Sequence, residues 1–171
     1  INPNYSKAHS NLGMIFHELG SLNEAEVSYK NAINLKPDYA EAHLNLGNTL
    51  EELGRSEEAE ASYIKAIALK PDFAMAYYGL GKVLYIKGNE DLALENIIRA
   101  NNIEPHSKDY ELMLKVIELR KSPKRNQANI TDKISIGDFK ELISTPLILE
   151  REVEAELINS LYEMDSDELD K

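Results

Sequence analysis

Apolar residues recur along the first two-thirds of the chain at the spacing of helix faces. Between Pro37 and Gly54, Ala42, Leu46 and Leu50 stand four apart, so one stripe of a helix over about Tyr39 to Leu53 is apolar. Asp38 is placed to cap that helix, and Gly54, which has no Cβ, is placed to end it in a left-handed turn. A second helix follows from about Ser56 to Leu69, with Ala59, Tyr63, Ala66 and Ile67 turned inward, until Pro71 stops it. The unit is therefore a helix, a tight turn and a second helix.

That unit is repeated. Pro3, Pro37, Pro71 and Pro105 are spaced by 34, and six of the eight glycines keep the same period: Gly13, Gly47, Gly81 and Gly20, Gly54, Gly88. Two alanine columns follow it, Ala25, Ala59, Ala93 and Ala32, Ala66, Ala100, as does the bulky column Tyr29, Tyr63, Ile97. One helical hairpin cannot bury its apolar face alone, so a fixed period of this length means a stacked array. The small columns have a steric purpose. Gly47 and Ala59 let the helices of a hairpin approach, and Ala66 makes room for the next unit.

At these columns the sequence resembles the tetratricopeptide repeat family. The match runs through Leu12-Gly13, Phe16, Gly20, Ala25, Tyr29, Ala32 and Pro37, and returns in units two and three. The column of the family's first aromatic holds His9, His43 and Tyr77. The resemblance covers residues 1 to about 107. It implies an all-α solenoid of three helix-turn-helix repeats, at 6–39, 40–73 and 74–107, whose first helices line a concave groove. Within the family, the style of these units is similar to arrays attached to sugar-nucleotide transferases and to bacterial multidomain proteins.

The edges break the period. Ile1-Asn2-Pro3 aligns with Leu35-Lys36-Pro37, so residues 1–5 read as the end of a truncated upstream repeat and the chain as a fragment of a longer array. After Pro105 a helix capped by Ser107 is expected over Lys108 to about Lys121, a capping helix with a charged outer face. Residues 122–133 read as a polar linker. Residues 134–171 read as an acidic helical segment in which Val153, Leu157, Leu161 and Met164 share a face. Its Thr145-Pro146 step is similar to the opening of iron/2-oxoglutarate oxygenase domains. No His follows His106, so the His/Asp/His metal set of such a domain is not in this sequence.

Composition narrows the chemistry. The 171 residues carry 19 Lys and Arg against 30 Asp and Glu, a net charge of −11 that repels phosphate backbones, so nucleic acid is not an expected partner. With no Cys there is no disulfide, thiolate metal site or cysteine nucleophile. No apolar run reaches the roughly 20 residues of a membrane span and no signal peptide opens the chain, so neither membrane nor export is expected and the location reads as cytoplasmic. His9 and His43 sit at equivalent packing positions with no third ligand. Glu51-Glu52 and Glu57-Glu58 read as solvated pairs. No cofactor, metal or catalytic residue is expected.

The expected function is non-catalytic binding of a peptide or protein segment in the groove. By repeat position its wall comprises Lys7, Ser10, Asn11, Met14 and His17, then Glu41, Leu44, Asn45, Asn48, Glu51 and Glu52, then Met75, Tyr78, Lys82, Tyr85 and Ile86. The residues chosen as protein-binding are Asn11, Asn45, Asn48, Tyr78, Lys82 and Tyr85. Amides can bond an extended backbone of any sequence, and tyrosines give large contact area at low entropy cost. The carboxylate clamp by which some relatives hold chaperone tails is not expected. Asn45 fits it, but Met14, Met75 and Gly79 stand at other clamp positions. The alternatives are the targeting arm of a larger enzyme, such as a glycosyltransferase or an iron/2-oxoglutarate oxygenase, and an oligomerisation scaffold. As a scaffold it would form a homodimer through the tail helix or the uncovered N-terminal edge.

Overall fold

The computed structural model describes residues 3–121; the linker and acidic helical segment expected over 122–171 lie outside them. Seven helices follow one another: α1 (Pro3–Glu18), α2 (Leu22–Leu35), α3 (Ala40–Glu52), α4 (Ser56–Leu69), α5 (Ala74–Ile86), α6 (Glu90–Ile103) and α7 (Lys108–Lys121). Among the described residues there is no strand, and no helix is long and apolar enough to cross a membrane. Pro3 is the first residue of α1, where a missing N–H is harmless, so residues 3–5 extend the first helix.

Each hairpin turns through a glycine. Gly20, Gly54 and Gly88 hold φ of 72°, 73° and 80°, a region that costs a residue with a Cβ. At Gly54 the turn is closed by Arg55 N–H to Leu50 O at 2.8 Å and Gly54 N–H to Glu51 O at 2.9 Å, a Schellman arrangement.

The proposed Asp38 cap is corrected. Lys36 to Tyr39 form a turn, with Tyr39 N–H bonded to Lys36 O at 3.1 Å. The Tyr39 carbonyl then accepts from the N–H groups of Ala42 and His43. Tyr39 is thus the capping residue, with no side-chain cap bond, and Asp38 stands one position too early. What the position offers instead is an aromatic platform. Lys36 Nζ lies 5.0 Å from the Tyr39 ring centre, and Lys70 Nζ 4.5 Å from Phe73, one repeat on.

His106 also has a positive φ, 72°, without being glycine. His106→Gly is expected to raise stability by about 0.5–1 kcal/mol, because the left-handed strain on a β-carbon disappears. Urea unfolding of the two proteins measures this.

The core is the repeat written in three dimensions. Ala25, Ala59, Ala93, Ala32, Ala66 and Ala100 are wholly buried, with Tyr29, Tyr63 and Ile97 among them. A Cβ on Gly13 would stand 2.7 Å from the Tyr29 ring, and one on Gly47 2.7 Å from the Tyr63 ring, so these glycines exist to seat the aromatic of their own hairpin. Leu46 and Leu80 are 7% and 8% exposed, but Leu12, their equivalent on α1, is 41% exposed.

Helix neighbours set the curvature. Each helix packs on the next, and in addition α1 touches α3 and α3 touches α5. The first helices of successive repeats are therefore the closer row, and they form the inner side of the stack. Ion pairs between repeats brace the rest. Arg55 bonds Glu26 Oε2 of the preceding repeat at 2.6 Å and Glu58 Oε2 of its own at 2.6 Å, and Lys87 bonds Glu60, the equivalent of Glu26. Arg55 and Lys30 beside it hold the Glu26 carboxyl below the ordinary carboxylate range, with the Lys30 hydrogen bond the larger cause.

Candidate functional site

The inner row carries one polar network. Tyr63 of α4 is fully buried, and its ring lies between Gly47 on α3 and Gly79 on α5; a Cβ on Gly79 would come within 2.6 Å of it. The ring thus reaches through the hairpin, and its hydroxyl emerges between two first helices. The hydroxyl oxygen is 2.8 Å from Asn48 Oδ1 and 2.7 Å from Glu51 Oε2. A phenol has one proton. Both contacts are satisfied when it donates to the Glu51 carboxylate and the Asn48 amide turns an N–H toward the phenol oxygen. The other Glu51 oxygen, Oε1, accepts from Lys82 Nζ at 2.9 Å, with the side chains 8% and 18% exposed. Lys82 also stands 5.4 Å from the Tyr78 ring centre.

Among the described residues the network belongs to the junction of repeats two and three alone. One repeat earlier, Met14 and His17 hold the positions of Asn48 and Glu51. One repeat later, Ile97 has no hydroxyl. This explains Gly79, which breaks the Asn11, Asn45 column: the Tyr63 ring occupies the space an amide would need.

Toward the end of the array the inner row becomes aromatic. Tyr78 and Tyr110 have ring centres 5.0 Å apart at 40°, which joins α5 to α7. Arg120 lies 5.0 Å from the Tyr85 ring centre and bonds Glu90 Oε1 at 2.7 Å. At the opposite end His17 Nε2 is 3.1 Å from Glu52 Oε1, without the alignment of a hydrogen bond.

The residues chosen from the sequence therefore divide. Asn11 is exposed and Asn45 half-buried, and neither side-chain amide makes a hydrogen bond within the described residues. Tyr78 and Tyr85 are half-buried and keep part of each ring on the surface. Asn48 and Lys82 are held by Tyr63 and Glu51, so they shape the wall rather than offer free polar atoms. Two of the wider set are corrected outright. Leu44 is 4% exposed and Ser10 3%, because their side of the helix packs into the stack. Tyr110, Arg120 and the Arg55 clamp were not foreseen. The equivalence of Glu26 and Glu60 over 34 residues is the one signal that could have found the clamp. Among the described residues no three His, Asp or Glu side chains gather as a metal site. A shallow depression of about 410 Å³ lies away from the inner row, between α1 and α2, lined by Leu12, Phe16 and Val27.

Four tyrosines resist ionisation. Burial, then the charge of Glu18, pushes Tyr29 up to about 12. Burial, then Asp109, takes Tyr78 to about 12, and burial, then Glu104, takes Tyr110 to about 12. Tyr63 goes further in the same direction through burial and then Glu51. A folded value raised above the ordinary 10 gives stability that is whole below pH 10 and lost as the pH climbs through the folded value. The helical circular dichroism is therefore expected to hold to about pH 10 and to collapse by about pH 12, together with a late step in tyrosinate absorbance. A non-cooperative absorbance rise centred on the ordinary value would contradict it.

The fold is a stack of helical hairpins with the first helices as its inner row, and comparison with known proteins finds the same arrangement elsewhere. The model described as TPR repeat matches residues 13–54 and 47–88. Residues 13–88 therefore match tetratricopeptide repeats. Among solved structures it is similar to the Arabidopsis OM64 TPR domain, at 22% identity over 70% of this chain and 99% of that one, with a TM-score of 0.69. It is similar also to the first TPR of Spaghetti (RPAP3) bound to the HSP90 peptide SRMEEVD, at 18% identity over 70% and 95%, TM-score 0.68. The first TPR domain of human RPAP3 matches at 19% identity over 69% and 93%, TM-score 0.67. No curated protein sequence matches the chain.

Proposed function

We propose that the array is a non-catalytic binding module that holds an extended segment of another protein along its inner row. The observation that carries this is the surface formed by Asn45, Met75 and Tyr78. Asn45, a half-buried amide without an internal partner, stands on α3, and α5, which α3 touches, carries the exposed Met75 and the partly open Tyr78 ring. Such an amide can pair with a ligand's backbone, and the rings supply contact area. The Spaghetti (RPAP3) domain in complex with its peptide supports the same use of this fold.

The test begins with peptides of about twelve residues selected from a random display library, a length that spans roughly 40 Å when extended. Asn45→Ala with Tyr78→Ala is expected to weaken the selected peptides by about 2 kcal/mol or more while helical content is kept. Equal affinity in the double variant, or a larger loss from changes on α2 and α4 such as Val27→Ala and Ile64→Ala, would sink the assignment.

A further inference from the structure

We infer that the exposed edge of α1 pairs with the same edge of a second copy of this chain, the two helices antiparallel about a two-fold axis at Leu12. This inference does not rest on the groove proposal. Tyr5, Ala8, Leu12, Ile15 and Leu19 form one stripe of α1, and all are exposed, Tyr5 by 62%, Ile15 by 53% and Leu19 by 72%. Further along the chain the same face is covered. Ala42 and Ala76, the equivalents of Ala8, are wholly buried where α3 packs on α2 and α5 on α4. So are Thr49 and Val83, the equivalents of Ile15. The stripe on α1 thus has the composition of an interface and no neighbour among the described residues. Half-buried Phe16 and exposed Val27 continue it into the shallow depression between α1 and α2.

The symmetry of the stripe identifies its occupant. Its residues stand at −7, −4, 0, +3 and +7 from Leu12, with His9 at −3 and Phe16 at +4 half-buried beside them. A two-fold axis through Leu12, at right angles to the helix, sets each position against the one equally far on the other side. Tyr5 then meets the partner's Leu19. Ala8 meets the partner's Phe16, a small side chain opposite a large one, and Leu12 meets its own copy. The stripe holds no Lys, Arg, Asp or Glu, so the net charge of −11 is carried elsewhere. The Lys and Glu of α1 are Lys7 and Glu18, both exposed and neither in an ion pair among the described residues. They lie on one flank, since eleven steps of about 100° complete three turns. The two-fold axis reverses the helix but keeps that flank beside its own copy. Each Lys7 therefore comes to the end that carries the partner's Glu18, cation to carboxylate, at both ends of the pair. A parallel pair would put these flanks on opposite sides and leave both charges unmatched.

The experiment is sedimentation equilibrium of the full 171-residue chain at about 0.1 mM, enough to populate a weak two-fold contact. The expected mass is twice 19.3 kDa. Ile15→Glu, at an exposed position, should return it to that of one chain with helical circular dichroism kept, whereas Ile64→Glu on α4 should leave it doubled. Lys7→Glu should weaken the pair by about fivefold or more, and Lys7→Glu with Glu18→Lys should recover it. The chain has no Cys, so Leu12→Cys places a single thiol on the axis, and oxidation should link two copies through it. A single-chain mass, or a doubled mass that Ile15→Glu leaves unchanged, would overturn the inference. No recovery in the charge-exchanged chain would overturn the antiparallel arrangement. If the Leu12→Cys thiol of a single-chain species also reacted slowly with a thiol reagent, the face would belong to another segment of the same chain and not to a second copy.

Discussion

Tyr63→Ala is expected to lower the stability of the array by about 3–5 kcal/mol, the range for emptying a large aromatic site in a core. The ring is fully buried, and it is the element on which α3, α4 and α5 meet. Its loss opens a cavity between two glycines, which have no side chains with which to fill it. Tyr63→Phe separates the ring from its hydroxyl. It should cost about 1.5–3 kcal/mol, because the Glu51 carboxylate, 8% exposed, loses a donor. Urea melts of the three proteins check both figures. A loss below about 1 kcal/mol for the alanine variant would mean that the helices do not meet on this ring.

The second large effect concerns Lys82. Lys82→Met is expected to destabilise by about 2–3 kcal/mol, less than the 3–5 of a fully buried pair because the lysine keeps some contact with water. The cost arises from a carboxylate left in the wall without its cation. Glu51→Gln in the same chain should restore most of the loss, since an amide still accepts from Tyr63 and carries no charge to strand. Equal effects of Lys82→Met in the presence and absence of Glu51→Gln would show that the two groups are not coupled.

The architecture was legible because a period of 34 repeats residue types whose roles are steric. Gly54 could be read as a left-handed helix end, and Ala59, Tyr63 and Ala66 as an inward face, from spacing alone. The start of α3 was not legible. Asp38 has the chemistry of a cap, but the turn through Lys36 hands that position to Tyr39, whose contribution is its backbone carbonyl.

The network escaped for another reason. Glu51 and Glu52 read as one solvated pair, yet adjacent helix residues point about 100° apart, and the structure leaves one 8% and the other 53% exposed. Lys82 lies 31 residues from Glu51, so the pair joins two different columns and no period displays it. Leu44 and Ser10 misled because a first helix packs on its own hairpin and on both neighbours, which leaves only a narrow strip for a ligand.

The central claim is that the inner row of first helices is the binding surface, and nuclear magnetic resonance shift mapping tests it most directly. The isotope-labelled chain would be titrated with the tightest peptide selected from the display library. The expected result is shifts concentrated at Asn11, Asn45, Met75, Tyr78 and Tyr85, with Val27, Ile64 and Ile98 on the second helices unmoved. Shifts gathered on α2, α4 and α6, with Asn45 and Tyr78 silent, would contradict the account.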